Sequence, residues 1–289
     1  MLNFLKVQGA GNDFVLFDLM DYNKEFDYSN LARSVCNRNF GIGADGILLV
    51  FPSKKADAKM RIFNSDGSEA EMCGNGIRCF ARYLFEKGLN NNTRDLEIET
   101  LAGIIRPKIN LDSQGKFISV TVNMGIPTLI PENIPVKLSG EKIVDYPLMV
   151  EGKELRITTV NMGNPHCVIF SKEISELEIS DLGRKIENHK FFPQKTNVEF
   201  VEVLSKNEVL CRVWERGAGE TLACGTGACA VLVAGVLQDL LDNEAKIILP
   251  GGKLKISWQG EKKPIYMEGS AEIVFSGIIE DICYFLEQI

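Results

Sequence analysis

Along this chain, short segments in which apolar and polar side chains alternate outnumber those with a helical period. Residues 59–63 (KMRIF), 95–100 (DLEIET), 116–124 (KFISVTVNM), 156–162 (RITTVNM), 197–203 (NVEFVEV), 209–215 (VLCRVWE), 253–258 (KLKISW) and 272–279 (EIVFSGII) are predicted strands. Several have the period of two expected of half-buried antiparallel strands. Four segments predict helices: Ser29 to Cys36, Asn75 to Lys87, Asp181 to His189 with Ser180 as its N-cap, and Gly225 to Leu240. Pro127, Pro131, Pro135 and Pro147 interrupt any period between 125 and 147, which predicts a connection that divides the chain almost evenly.

The two halves repeat one another. Ala70 to Leu84 (AEMCGNGIRCFARYL) and Thr221 to Leu237 (TLACGTGACAVLVAGVL) each set a cysteine against a Gly-x-Gly turn and a helix, and the two cysteines are 151 residues apart. GNDFVLFD at 11–18 resembles GNPHCVIF at 163–170; Asn12 precedes Cys73 by 61 residues and Asn164 precedes Cys224 by 60. Glu69 and Glu220 stand four residues before their cysteines, and Asn64 and Glu215 stand nine before, each at the end of a strand. These coincident spacings predict two diverged copies of one β-rich unit, each with a central helix that begins just after a cysteine.

Composition narrows the function. At 289 residues with 45% hydrophobic content, the chain fits one large globular domain or two ordinary ones. A net charge of -7 with no basic stripe argues against nucleic acid as a partner. No secretory signal is recognisable at the start, and the longest apolar run, Ala228 to Leu237, is too short to span a bilayer. A cytoplasmic protein with no membrane partner is expected. The eight cysteines are then free thiols rather than a disulfide framework. With no CxxC and only His166 and His189 as imidazoles, no metal site is expected.

A helix N-terminus carries unsatisfied N–H groups and partial positive charge, so each Cys-Gly-x-Gly start suits a carboxylate, and its field lowers a thiol pKa toward neutrality. Two such starts placed face to face can invert a stereocentre: one thiolate removes an α-proton from one face and the other thiol returns a proton to the opposite face. Converging N–H donors meet the charge that develops on the carboxylate. Bland readings stand beside this one. Cys36, Cys79, Cys167, Cys211, Cys229 and Cys283 are expected to be small buried side chains. His166 alone suits a satisfied core histidine, Glu215-Arg216 a surface ion pair, and Asn12, Asn64, Asn164 and Asn197 turn residues. Taken together, those asparagines supply amide partners for a polar ligand.

GAGNDF, NSDGSEAEMCGNGIRC, NMGNPHCV, NVEFVEV and ERGAGETLACGTGACA resemble, in order and spacing, the diaminopimelate epimerase family over nearly the whole chain. The resemblance implies an α+β fold of two pseudo-symmetric β-rich domains, each wrapped around a central α-helix, as in the proline racemase superfamily. The domains expected are 1–125 with 270–289, carrying Cys73, and 126–269, carrying Cys224. It implies a cofactor-independent isomerase that converts LL-diaminopimelate to the meso isomer for lysine and peptidoglycan synthesis, working as a homodimer. Cys73 and Cys224 then correspond to the proton-transfer pair, with His166 and Glu215 as polar partners of the thiols. Gly74, Asn75, Gly225 and Thr226 correspond to donors to the reacting carboxylate, and Asn12, Asn64, Asn164, Asn197, Glu215 and Arg216 to ligands of the rest of the substrate. Arg216 is a suitable fork for a distal carboxylate and Glu215 suits an ammonium. Gly46 departs from members with Gln there, so that side-chain contact is lacking. A proline or hydroxyproline racemase would leave the Asn, Glu and Arg set without a purpose. A non-catalytic amino-acid binder would not need paired cysteines, and a thiol redox protein would be expected to carry CxxC.

Overall fold

The computed structural model describes residues 1–22, 27–89, 93–282 and 285. Two compact units account for the chain: Met1–Val122 with Gly269–Ile289, and Asn123–Glu268. The first unit runs β1 (Leu2–Gly9), β2 (Asn12–Asp18), α1 (Tyr28–Cys36), β3 (Gly46–Phe51), β4 (Ala58–Asn64), β5 (Glu69–Ala70), α2 (Gly74–Glu86), β6 (Ile98–Thr100), β7 (Gly103–Ile105) and a hairpin of β8 (Lys108–Leu111) with β9 (Phe117–Asn123). The second runs β10 (Tyr146–Val150), β11 (Lys153–Asn161), β12 (Pro165–Phe170), α3 (Ile179–Glu187), β13 (Asn197–Ser205), β14 (Glu208–Glu215), β15 (Gly219–Thr221), α4 (Gly225–Leu237), β16 (Glu244–Leu249), β17 (Gly252–Trp258) and β18 (Ile265–Gly269). The chain then returns to the first unit as β19 (Glu272–Ile279).

Strand register carries the repeat into three dimensions. The first unit orders its strands β19-β1-β2-β3-β4-β6-β7 with β5 on β4, and the second β10-β11-β12-β13-β14-β16-β17-β18 with β15 on β14. The parallel pair β2/β3 sets Phe14 opposite Gly46 and Leu16 opposite Leu48. Its counterpart β12/β13 sets His166 opposite Asn197 and Val168 opposite Glu199. Ile62 faces Ala70 across β4/β5, as Val213 faces Thr221 across β14/β15. His166 thus occupies the place of Phe14, and Glu199 that of Leu48.

Strands β2, β3 and β12 carry no period of two because each has a consecutive buried run, Phe14 to Phe17, Gly46 to Val50 and Pro165 to Ile169; strands covered on both faces are apolar runs rather than alternations. The proline-bearing connection also differs from a loose linker. Its Ile134, Val136 and Ile143 enter the core of the second unit with Ile157, Cys167, Val198 and Phe200. Helix α3 begins at Ile179 after Glu178, with no side-chain cap bond. Ser180 is therefore not the N-cap: Ile179 is 1% exposed and must point inward, and the Ser180 hydroxyl bonds instead to the Glu178 carboxylate. Helix α4 ends at Leu237 rather than Leu240 because Asp239 takes a left-handed backbone conformation with φ 55°.

The two central helices bury different faces. In α4 every residue from Gly227 to Gly235 is buried, so a helix apolar on all sides is wrapped by β11, β12, β13, β16 and β17. In α2, Ile77, Phe80, Ala81 and Leu84 face inward against β1, β2 and β19, while a half-buried Arg82 forms an i,i+4 ion pair with the exposed Glu86. A smaller helix braces a turn in each unit. From α1, Ser29 Oγ donates to Gly67 O at 2.8 Å and Arg33 Nε to Asp66 O at 2.9 Å. From α3, Glu187 accepts the Gly217 N–H at 3.1 Å and the Trp214 indole N–H at 2.8 Å.

Candidate active site

Each cysteine is the N-cap of its central helix, in extended backbone: φ -141°, ψ 121° at Cys73 and φ -126°, ψ 115° at Cys224. Cys73 Sγ accepts the Gly76 N–H at 3.4 Å, and Cys224 Sγ accepts the Gly227 N–H at 3.3 Å. A sulfur in this place takes one of the donors that a helix start leaves unsatisfied, the role usually filled by Ser, Thr, Asp or Asn. The backbone N–H groups of Gly74, Asn75, Gly225 and Thr226 belong to the same two helix starts.

Around Cys73 lies a chain of amides anchored by charge. Asn12 Oδ1 is 3.7 Å from Cys73 Sγ and accepts from Asn75 Nδ2 at 3.2 Å. Asn75 Oδ1 in turn accepts from Arg78 Nη2 at 2.9 Å, and that guanidinium is fully buried. At the other end, Asn12 Nδ2 donates to Asp45 Oδ2 at 2.8 Å, and Arg38 bridges Asp45 and Asp13 at 3.0 and 2.8 Å. Lys6 completes the network, 2.5 Å from Asp13. Asn12 can therefore present only its carbonyl oxygen to the thiol.

Cys224 meets the opposite electrostatics. It is 5% exposed, and its thiol is pushed well above the usual value by burial first, then by the carboxylates of Glu215 and Glu199. The lowered thiol expected of a helix start is thus not found at Cys224; desolvation and two nearby carboxylates outweigh the helix field and the bonds from Thr226 and Gly227. Thr226 Oγ1 lies 3.4 Å from the sulfur. A side chain at 227 would start 2.7 Å from Glu199 Oε1 and would displace that carboxylate. Glu199 and His166 are both fully buried, with Oε1 2.6 Å from Nδ1. The other imidazole nitrogen is 2.9 Å from Asn164 Oδ1.

A second group in this unit surrounds the end of β14. The buried amide of Asn197 donates to Pro165 O and accepts the Arg216 N–H, both at 2.9 Å. Asn197 thereby ties Arg216 to the strand that carries His166. The Arg216 guanidinium donates to Gln194 O at 3.1 Å, and Glu215 accepts from Thr221 Oγ1 at 2.6 Å. Asn64, the counterpart of Glu215, bonds to Ser68 Oγ at 3.0 Å. Gly46 has no room for a side chain, since a Cβ would stand 2.6 Å from Phe63 O. Cys36, Cys79, Cys167, Cys211 and Cys229 are buried, and burial pushes the Cys36 and Cys79 thiols up to about 12. Cys283 lies outside the described residues.

Residues 4–130 and 158–274 match the family model described as diaminopimelate epimerase. The chain belongs to the diaminopimelate epimerase family. It is 53% identical over 281 residues to the diaminopimelate epimerase of Carboxydothermus hydrogenoformans, and 50% over 276 residues to that of Moorella thermoacetica. Each alignment covers 96% of this chain and 98% of the relative. In fold the chain is similar to a phenazine biosynthesis protein of the PhzF family from Enterococcus faecalis, with TM-score 0.69, 13% identity and 96% and 98% of the two chains covered. Like its relatives, this diaminopimelate epimerase family member is an isomerase.

Among the polar residues of these clusters that escape sequence reasoning are Asp45, Arg78 and Glu199. Two of them left a trace. Glu199 is a lone carboxylate within the apolar start of β13, and Arg78 is a cation between Ile77 and Cys79 in a helix whose other charges lie on its outer face. Asp45 immediately precedes β3; nothing in its local sequence separates it from an ordinary turn aspartate.

Proposed function

We propose that this chain interconverts LL- and meso-diaminopimelate, for lysine and peptidoglycan precursor synthesis, by proton transfer between Cys73, Cys224 and the substrate α-carbon. The observation that carries the reading is the repeated N-cap: two cysteine sulfurs, each bonded to the N–H three residues on, in two units of matching register. One thiolate removes the α-proton and the other thiol supplies a proton from the opposite face, so the stereocentre inverts. The N–H groups of Gly74, Asn75, Gly225 and Thr226 hold the reacting carboxylate and meet its growing negative charge. No electron sink is required, and no cofactor enters the scheme.

Recognition of the far end of the substrate falls to Asn64, Asn164, Asn197, Glu215 and Arg216. Arg216 supplies the fork for the distal carboxylate, Glu215 the counter-charge for the ammonium, and Asn197 holds Arg216 through its backbone N–H. Asn12 serves Cys73, Glu215 acts on Cys224, and His166, with both nitrogens engaged by Glu199 and Asn164, serves the site through those two residues. The working form is a homodimer in the cytoplasm. Purified protein incubated with LL-diaminopimelate is expected to yield the meso isomer until both are present at equilibrium; chromatographic separation of the stereoisomers reads the result. Recovery of LL-diaminopimelate alone overturns the assignment.

A further inference from the structure

The repeat offers an internal control for what the fold itself requires. At the two positions where the first unit places Phe14 and Leu48, the second places His166 and Glu199. Each helix glycine abuts its own N-cap cysteine, but Gly76 also abuts Leu48 and Ile62, whereas Gly227 abuts Glu199. An apolar pair therefore fills this site well enough to build the unit, and a buried carboxylate with an imidazole is costly unless it does something an apolar pair cannot.

The geometry limits what the pair holds. Asn164 Oδ1 is an acceptor, so His166 carries a proton on Nε2. Nδ1 and Glu199 Oε1 stand 2.6 Å apart, where two lone pairs would repel, so one proton lies between them and the pair is neutral overall. Glu199 Oε2 is buried with no hydrogen-bond partner. A side chain at 227 would start 2.7 Å from Glu199 Oε1 and 3.3 Å from Cys224 Sγ. The carboxylate is thus within about 6 Å of the sulfur, where a lone charge moves another group's titration by roughly 1–3 units and the paired imidazole offsets part of that effect. The other groups in its field are Cys167 from β12 and Cys211 and Glu215 from β14.

We propose that Glu199 is a positioning residue of the active site: through the proton it shares with His166 it pins Asn164 with its amide N–H groups free for the substrate, and it presents the anionic end of the pair to Cys224, keeping that cysteine a thiol that donates. This rests on the two-thiol reading above, yet its test does not use turnover. In Glu199→Gln the shape remains and His166 becomes a neutral imidazole, so the anionic end facing Cys224 is gone while the net charge of the pair is unchanged. The pH midpoint for alkylation of Cys224 by iodoacetamide, followed by peptide mass spectrometry, is expected to fall by about one unit. The midpoint at Cys73, in the other unit, stays in place. A Cys224 midpoint that does not move, or a shift of equal size at both cysteines, overturns the proposal. Should the variant fail to fold, nitrogen-15 spectra of the native protein decide: His166 is expected to show a strongly deshielded Nδ1 proton and a protonated Nε2 across neutral pH. An Nδ1 without a proton refutes the shared-proton pair. Loss of epimerisation in the native protein would strike the two-thiol reading and leave both measurements standing.

Discussion

The two copies of the unit cap a helix with cysteine in the same way and surround that cysteine oppositely. Cys73 sits among neutral amides backed by a buried guanidinium, Arg78. Cys224 sits among a hydroxyl, a buried carboxylate and Glu215, and is held as the thiol. The flanking asparagines are pinned in opposite senses. Asp45 takes the amide N–H of Asn12 and leaves its oxygen for the sulfur; His166 takes the oxygen of Asn164 and leaves its N–H groups. The braces under the two turns also reverse, hydroxyl and guanidinium donors from α1 against a carboxylate acceptor from α3. The copies thus agree in shape and differ in the charge around the cysteine, a difference that suits the proposed removal of a proton on one side and its return on the other.

The largest effect tests what the copies share. Cys73→Ala and Cys224→Ala are each expected to lower epimerisation by about 10³-fold or more, because either loss interrupts the one route through the planar intermediate. Early product formed in D2O by the native protein carries deuterium at the inverted carbon while remaining substrate stays protiated. Mass spectrometry of both pools checks this, and retention of the original proton through inversion breaks the symmetry of roles.

A double change makes the second unit resemble the first. His166→Phe with Glu199→Leu is expected to cost about 10²-fold in kcat/KM, because Asn164 is no longer pinned and the acid at Cys224 is no longer tuned. Thermal unfolding is expected at an unchanged or higher temperature, since apolar replacement of a buried ion pair is often neutral or stabilising by roughly 1–4 kcal/mol. Activity close to native would show that the contrast between the copies is incidental.

Arg216→Lys is expected to lose roughly 30-fold in kcat/KM, about 2 kcal/mol, because a point charge reproduces a bidentate carboxylate contact poorly. Circular dichroism and steady-state kinetics together separate this from misfolding. Asp45→Asn sharpens the contrast of amide senses. Without an obligate acceptor, Asn12 can turn its N–H groups toward Cys73, and a loss of about tenfold in kcat with little change in the unfolding midpoint is expected.

The smallest effect concerns a brace. Burial alone would raise the Glu187 carboxyl, but the Trp214 indole, the Gly217 N–H and Lys195 hold it below its ordinary value. A group depressed in the folded state contributes stability above its unfolded pKa and loses it as pH falls through the folded one. Glu187→Gln is therefore expected to cost about 1 kcal/mol near neutral pH and progressively less in acid. Urea denaturation at several pH values measures the difference.

Much of this was legible in the chain. The helix starts at Cys73 and Cys224, the offset of about 151 residues and most of the alternating strands follow from local pattern, because capping and period depend on neighbours a few residues apart. Strands β2, β3 and β12 were not, since burial on both faces erases alternation. Nor was the packing of Ile134, Val136 and Ile143 from a segment marked by prolines, because turn residues say where the chain bends and not what it covers.

The sequence by itself determined that two like units exist and which sulfurs stand at their helix starts. Only the tertiary structure decided that these sulfurs meet unlike surroundings. Asn12 meets Asp45, and His166 meets Glu199, across 33 residues each, through the parallel strand pairs β2/β3 and β12/β13. A hydrogen bond's sense and a thiol's field depend on partners brought together by register, and no spacing along one segment encodes which of Leu48 or Glu199 will face a helix glycine.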